Sequence, residues 1–304
     1  MTVLVAAPSI LVSTVGSKQA QRKIRNIKHP RLAIALKTGN QTISRAELGI
    51  ATFLKDYPHL VIVSDNEATL ANRRVIDVVS ESPNSKRKSM SKARRKDPGT
   101  ESTEEILLAG HQLDMQGWYV VNDQHSPRYK FSLNFLSRAM DSHKFLPGLR
   151  VLFLTYPNSD WYLMIDDDAY VFLDSLIPYL NYWNSAKPLY LGSPNQFSGC
   201  DGVKNFGDGP LFAHGGSGIL ISRPAIERML KIVDSCVKKY QGCWAGDVRL
   251  GLCMRDAGIP LTHLPDGFHG NPPDSRFNFD QDACVTPKVL HKLLPKQNSL
   301  NIAR

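Results

Sequence analysis

Apolar runs with polar ends alternate along this chain with segments of helical spacing. RLAIAL (Arg31 to Leu36) reads as a strand closed by the turn signal KTGN. Ser44 to Leu54 has its apolar residues at helical intervals, and HLVIVSD (His59 to Asp65) is a second buried strand with a polar carboxyl end. This β-α-β opening predicts an α/β sheet with crossover helices. Farther on, YKFSLNFLSRAMDSHKFLPGLRVLF reads as one helix and the start of another, broken at Pro147-Gly148. A strand over Trp161 to Ile165 and a helix after Tyr170 follow, then a short strand in PLYLGS. GPLFAHGGSGILISRPAIERMLKIV predicts strand, Gly-rich bend, strand and helix, the helix capped near Ser222 with Pro224 in its first turn. GDVRLGLCMRDAGI reads as a short helix stopped by Gly258, and no internal repeat is visible.

The alternation pauses over residues 81–103, which are rich in Ser, Lys, Arg, Pro and Gly. That composition predicts a basic, disordered loop inserted into one domain, because strands and helices resume after it. Residues 1–30 read as a weakly structured lead-in, 31–295 as a single domain and 296–304 as a tail.

Composition adds limits. The chain has 304 residues, 42% of them hydrophobic, with mean hydropathy −0.25, which is ordinary globular material with room for a core. Its net charge of +9 suggests a polyanionic partner, but the segment Lys86 to Lys96 alone holds 7 basic and no acidic residues, leaving +2 elsewhere. That segment lacks interleaved aromatics, so no nucleic-acid partner is expected. The five cysteines (Cys200, Cys236, Cys243, Cys253, Cys284) form no C-x-x-C pair, which argues against a zinc ribbon. Two disulfides with a free thiol and five reduced thiols both stay open. The apolar run near the N-terminus contains Pro8 and is too short to span a bilayer, and no basic leader precedes it. No transmembrane segment is expected in the chain as written.

Candidate chemistry concentrates in WYLMIDDDAYVF, Trp161 to Phe172. Three adjacent carboxylates repel one another, and burying them uncompensated costs several kcal/mol, roughly. At the carboxyl end of a sheet strand, oxygen ligands of this kind suit Mg²⁺ or Mn²⁺. In extended backbone Asp166 and Asp168 face one way and Asp167 the other. HGGSG, His214 to Gly218, lets backbone approach a ligand closely, although a tight bend is the simpler reading alone. Asp247 starts a predicted helix, where a carboxylate can cap or act as a general base. His291, taken alone, reads as an ordinary surface or core histidine.

WYLMIDDDAYVF, PLYLGSP, FAHGGSGILIS, GDVRLGLCMRDAGI, FHGNPP and CVTPKVLH occur in that order. Together with LKTGN, VIVSD and HKFLPGLRVLF they resemble the Fringe-like glycosyltransferases of family 31, in particular the fungal relatives of core 1 β1,3-galactosyltransferase. The resemblance covers about residues 31–295 without the basic loop. It implies a GT-A fold: a Rossmann-like, nucleotide-sugar-binding α/β architecture with a mixed central sheet flanked by helices. It implies inverting transfer from a UDP-sugar, galactose first and N-acetylglucosamine second, to a hydroxyl of a glycan or glycoprotein, forming a β1,3 linkage. A silent family member that binds glycans or a partner is the alternative. The divalent cation, Mn²⁺ by preference, maps to Asp166, Asp168 and His291, and the base to Asp247. The donor maps to Thr38, Asp65, Asp167, Gly215, Gly216 and Ser217, and the acceptor or sugar pocket to Trp244 and His269. Two positions depart from the family pattern: Ala169 replaces the usual Thr after the triad, and Gly246 the usual Glu before the base. The resemblance also implies the secretory pathway, specifically the Golgi; an incomplete N-terminus, secretion and different targeting all stay open for a chain with no evident anchor.

Overall fold

The computed structural model describes residues 30–79, 141–264, 266–270 and 286–292. Expectations for the lead-in, the basic loop, the helix over 129–140, Cys284 and the tail lie outside these residues. A mixed sheet of eight strands forms the centre: β1 (Leu32–Lys37), β2 (Leu60–Ser64), β3 (Ala68–Leu70), β4 (Arg73–Asp77), β5 (Trp161–Asp166), β7 (Tyr190–Gly192), β10 (Ile219–Ser222) and β11 (Leu261–His263). Their order is β11-β7-β10-β5-β1-β2-β4-β3. The strands β5, β1, β2 and β4 run parallel, while β10 is antiparallel to both its neighbours.

The strands are near-continuous apolar runs because both sheet faces are covered. On β1, Leu32, Ile34 and Leu36 pack into one core with Ile50 of α1 (Ile43–Ala51) and Leu176 of α3 (Leu173–Tyr179). Ala33 and Ala35 face the other core, built with α2 (Phe145–Thr155), α4 (Arg223–Leu230), α5 (Val233–Lys239) and α6 (Gly246–Asp256). The α/β class and the helix-flanked mixed sheet are those expected from the sequence. None of the described helices is long and apolar enough to cross a membrane.

Three local expectations need correction. Pro147-Gly148 does not break a helix: α2 runs through both. Proline is tolerated there because the first turn needs no donor from it. Gly148 lets the helix sit close to the sheet, since a Cβ would lie 3.0 Å from Met164 Cε and 3.2 Å from Val63 Cγ2. Ser222 occupies the cap position of α4 but makes no side-chain cap bond. Its hydroxyl instead donates to the Lys187 carbonyl (2.7 Å) and accepts from Leu189 N–H (2.9 Å), tying in the start of β7. No strand is expected between Asp65 and the basic loop, yet β3 and β4 form a hairpin there through Ala71 (φ 45°) and Asn72 (φ 63°). Two consecutive left-handed residues suit a tight hairpin turn without the usual glycine.

A small second sheet, β12 (Phe268–His269), β13 (Val289–His291) and β6 (Ala169–Val171), lies beyond the end of β5, and β8 (Pro194–Asn195) pairs with β9 (Phe212–Ala213). Two disulfides, Cys200–Cys243 and Cys236–Cys253, accompany them. The second joins α5 to α6 deep in the core, both sulfurs' residues being buried. Removing it as Cys236→Ala with Cys253→Ala is expected to cost about 2–4 kcal/mol, read as a lower urea midpoint. An unchanged midpoint would show that helix packing alone fixes this corner.

Candidate active site

The carboxyl ends of β1, β2 and β5 lie side by side, and their polar termini form the site. Register places Lys37, last on β1, opposite Asp166, last on β5. Asp166 has a buried Oδ1 that accepts no hydrogen bond, although Lys37 Nζ lies 3.2 Å away as an ion pair. Lys37, only 4% exposed, donates instead to Asp141 Oδ1 at 2.6 Å and stands 4.8 Å over the Phe145 ring. Burial disfavours its charge, but Asp166 and Asp141 outweigh that and raise its pKa. The pKa of Asp166 is raised, chiefly by burial, with the charges of Asp141 and Asp168 adding to it against Lys37.

Asp168 turns toward the second sheet. Pairing of β13 with β6 sets His291 opposite Ala169, the residue after the triad, and brings His291 Nε2 to 3.2 Å from Asp168 Oδ1. The other ring nitrogen, Nδ1, is 2.8 Å from the Gly270 carbonyl and donates to it. That contact orients the imidazole with Nε2 toward the carboxylates, the arrangement of a metal-ligating histidine. Burial lowers the His291 pKa, yet the bond to Asp168 and the Gly270 carbonyl raise it overall; burial raises that of Asp168, yet His291 lowers it overall. One ligand atom from each of Asp166, Asp168 and His291 lies within 4.8 Å of the others. Two carboxylates and an imidazole, one carboxylate oxygen lacking a hydrogen bond, fit a divalent cation such as Mn²⁺.

The Gly-rich bend runs past this cluster just before β10, as a single 3₁₀ turn over Gly215–Ser217. A Cβ on Gly216 would lie 2.2 Å from His291 Nε2, so only glycine leaves the imidazole in place. One residue earlier, Gly215 N–H donates to Asp247 Oδ2 at 3.0 Å. Asp247 Oδ1 accepts from Val248 N–H at 2.9 Å, at the start of α6. Burial pushes the Asp247 carboxyl up to about 6 despite both bonds. Base candidate and metal candidates thus meet adjacent residues of one glycine pair.

Other expected residues serve the frame. Asp167 Oδ2 accepts from Thr38 (2.6 Å) and Thr42 (2.5 Å), which fastens the triad to the loop after β1. Burial pushes its carboxyl up to about 6. Thr38 is buried, and its carbonyl accepts from Lys144 Nζ at 2.9 Å. Asp65 accepts from Asn40 N–H (2.9 Å) with Lys144 Nζ 3.5 Å away. Ser217 is buried against His214, Oγ to Nδ1 2.9 Å. Trp244 is 45% exposed, and its indole N–H donates to the Ser198 carbonyl at 3.1 Å. His269 lies on β12, in register with Leu290 of β13. The sequence reading overlooked Lys37, Asp141, Lys144 and His214. Lys37 stood in the quoted LKTGN, and a lysine ending an apolar strand was the available signal.

Sequence comparison adds to this geometry. A family model described as "Protein of unknown function, DUF604" matches residues 207–272, which include the bend and Asp247. Human chondroitin sulfate synthase 3 is 30% identical over 132 residues, covering 40% of this chain and 14% of that protein. Mouse beta-1,3-glucosyltransferase is 32% identical over 132 residues, covering 43% of this chain and 25% of that protein. The chain therefore spans a quarter or less of these relatives' length. A solved glycosyltransferase involved in glycosylating the major capsid of PBCV-1 aligns over 88% of this chain and 98% of its own, at 11% identity and TM-score 0.39. The chain is thus similar to glycosyltransferases over part of its length.

Gly216→Ala is expected to leave the far-UV spectrum intact while lowering Mn²⁺ affinity at least about tenfold, because His291 must move. Calorimetric Mn²⁺ titration measures this, and wild-type affinity in the variant would count against His291 as a ligand.

Proposed function

We propose that this chain is a metal-dependent, inverting glycosyltransferase of GT-A type that moves a sugar from a UDP-sugar to a glycan or glycoprotein hydroxyl. The observation that carries this reading is the glycine pair: Gly215 donates to Asp247, and Gly216 closes on His291 of the Asp166–Asp168–His291 group. A divalent cation held by that group would neutralise charge on a departing diphosphate. The chain's own residues then have separate tasks. His291 is oriented by the Gly270 carbonyl, and Asp166 and Asp168 supply negative charge. Asp247, fixed by two backbone N–H groups, accepts the proton of the attacking hydroxyl. A carboxyl near 6 is ionised at neutral pH and more basic than an ordinary aspartate, which suits that task.

The two departures from the family pattern leave this machinery in place. Ala169 is buried opposite His291 and contributes no ligand. At Gly246 a Cβ would lie 2.2 Å from Phe145 Cδ2, so Phe145 fills the space that a larger residue would need. Trp244 forms part of the acceptor side, fixed by its bond to Ser198 and by the adjacent Cys200–Cys243 disulfide. Galactose is the first donor sugar to try, N-acetylglucosamine second, and a β1,3 linkage the product; the Golgi is the compartment that goes with this reading.

The test is Mn²⁺-dependent hydrolysis and transfer with a panel of UDP-sugars, glucose included. Asp168→Ala and Asp247→Ala are each expected to cut turnover at least about 100-fold. Turnover unchanged in both variants would refute the site assignment. A protein that binds UDP and Mn²⁺ yet turns over no donor would favour the silent glycan-binding reading. Wild-type turnover should also rise with pH through about 6, as Asp247 loses its proton. A profile flat between pH 5 and 7, roughly, would count against a base that titrates near 6.

A further inference from the structure

Lys37 is a buried cation inside a group of acids that would also hold a divalent cation. Its position is not accidental packing. Register ties it to Asp166 across β1 and β5, Asp141 takes its short hydrogen bond, and the Phe145 face covers it. The two carboxylates are treated unequally. Asp141 receives an aligned bond at 2.6 Å, whereas Asp166 Oδ1, 3.2 Å away, receives charge without a hydrogen bond. Asp166 therefore keeps an oxygen available for another cation while Lys37 stays parked on Asp141.

We propose that Lys37, held aside by Asp141, is a resident counter-ion that keeps bare divalent cations from binding tightly and makes their entry depend on the negative charge of the nucleotide diphosphate. The inference rests on Asp166, Asp168 and His291 being the cation's ligands. A fixed unit charge beside a divalent ion repels it, and burial leaves that repulsion poorly screened. A diphosphate arriving with the ion offsets the repulsion. Lys37 and Asp141 are positioning residues here, because neither is assigned contact with the reacting atoms.

The experiment measures binding and not turnover. Mn²⁺ is titrated calorimetrically into the full chain with and without UDP, for wild type, Lys37→Met and Asp141→Asn. Wild type is expected to bind Mn²⁺ weakly alone and at least about tenfold more tightly with UDP. In Lys37→Met, bare Mn²⁺ should bind about tenfold more tightly, and the UDP enhancement should shrink accordingly. In Asp141→Asn, Lys37 keeps only a neutral amide oxygen as its acceptor there, leans on Asp166, and bare Mn²⁺ should bind more weakly than in wild type. The opposite signs separate this role from general damage to the site. Should Lys37→Met fail to fold, as judged by its melting curve, Lys37→Gln and Asp141→Asn carry the same sign test.

A folded Lys37 variant with unchanged or weaker bare Mn²⁺ affinity overturns the proposal, as does tighter binding in Asp141→Asn. If UDP promotes Mn²⁺ binding in wild type but the Lys37 variant behaves identically, only this inference fails. If Mn²⁺ binds to no variant with or without UDP, the cation reading of the site fails with it.

Discussion

Parallel pairing of β1 with β5 is the constraint on which the site depends. Six residue pairs from Leu32↔Trp161 to Lys37↔Asp166 are in register, and all but the last are apolar on both strands. Burial on both faces fixes that register, because a slip by one residue would turn every core side chain to the wrong face. The last pair then has no choice of neighbour. An ammonium and a carboxylate are brought together at the carboxyl ends of two central strands by hydrophobic packing beneath them, and the polar loops organise around that pair.

Space is the second constraint, and Phe145 sets much of it. Its ring lies where a Cβ on Gly215 would come within 2.9 Å and one on Gly246 within 2.2 Å, and the same ring covers Lys37. One aromatic side chain thus explains why the bend and the start of α6 both need glycine. It also sets how near Asp247 stands to the acidic cluster, since Gly215 donates directly to that carboxylate. The stiffness of the site comes from close contact of backbone and ring, with the hydrogen bonds of Asp167 to Thr38 and Thr42 locking the triad from the other side.

Much of this was legible from pattern. The apolar runs located β1, β2, β5 and β10, and three aspartates ending a buried strand marked the chemistry. The periodicity of those segments is the direct imprint of a sheet covered on two faces. The hairpin of β3 and β4 was hidden because its turn uses Ala71 and Asn72, without a glycine to announce left-handed backbone. Pro147 misled because the start of α2 falls so close to it that the proline costs the helix nothing. Asp141 was invisible for a different reason: it meets Lys37 across 104 residues of sequence, and no local pattern encodes such a contact. His291 came into view only through the family resemblance. Its neighbours are set by the pairing of a three-residue strand, too short for any periodic signal. Asp167 was expected to face the donor by strand alternation, but β5 ends at Asp166 and Asp167 lies in the turn that follows, bonded to Thr38 and Thr42 of a distant loop.

The late position of β13 has a consequence for how the protein matures. Asp166 and Asp168 leave the ribosome long before His291, and His291 reaches them only once β13 has docked on β6. During synthesis the acids stand without their imidazole, and Lys37 is a neighbour they already have. A nascent chain built in this order brings the Asp166–Asp168–His291 group together only when β13 pairs with β6. Assembly of the cluster therefore waits on β13, the latest of the described strands.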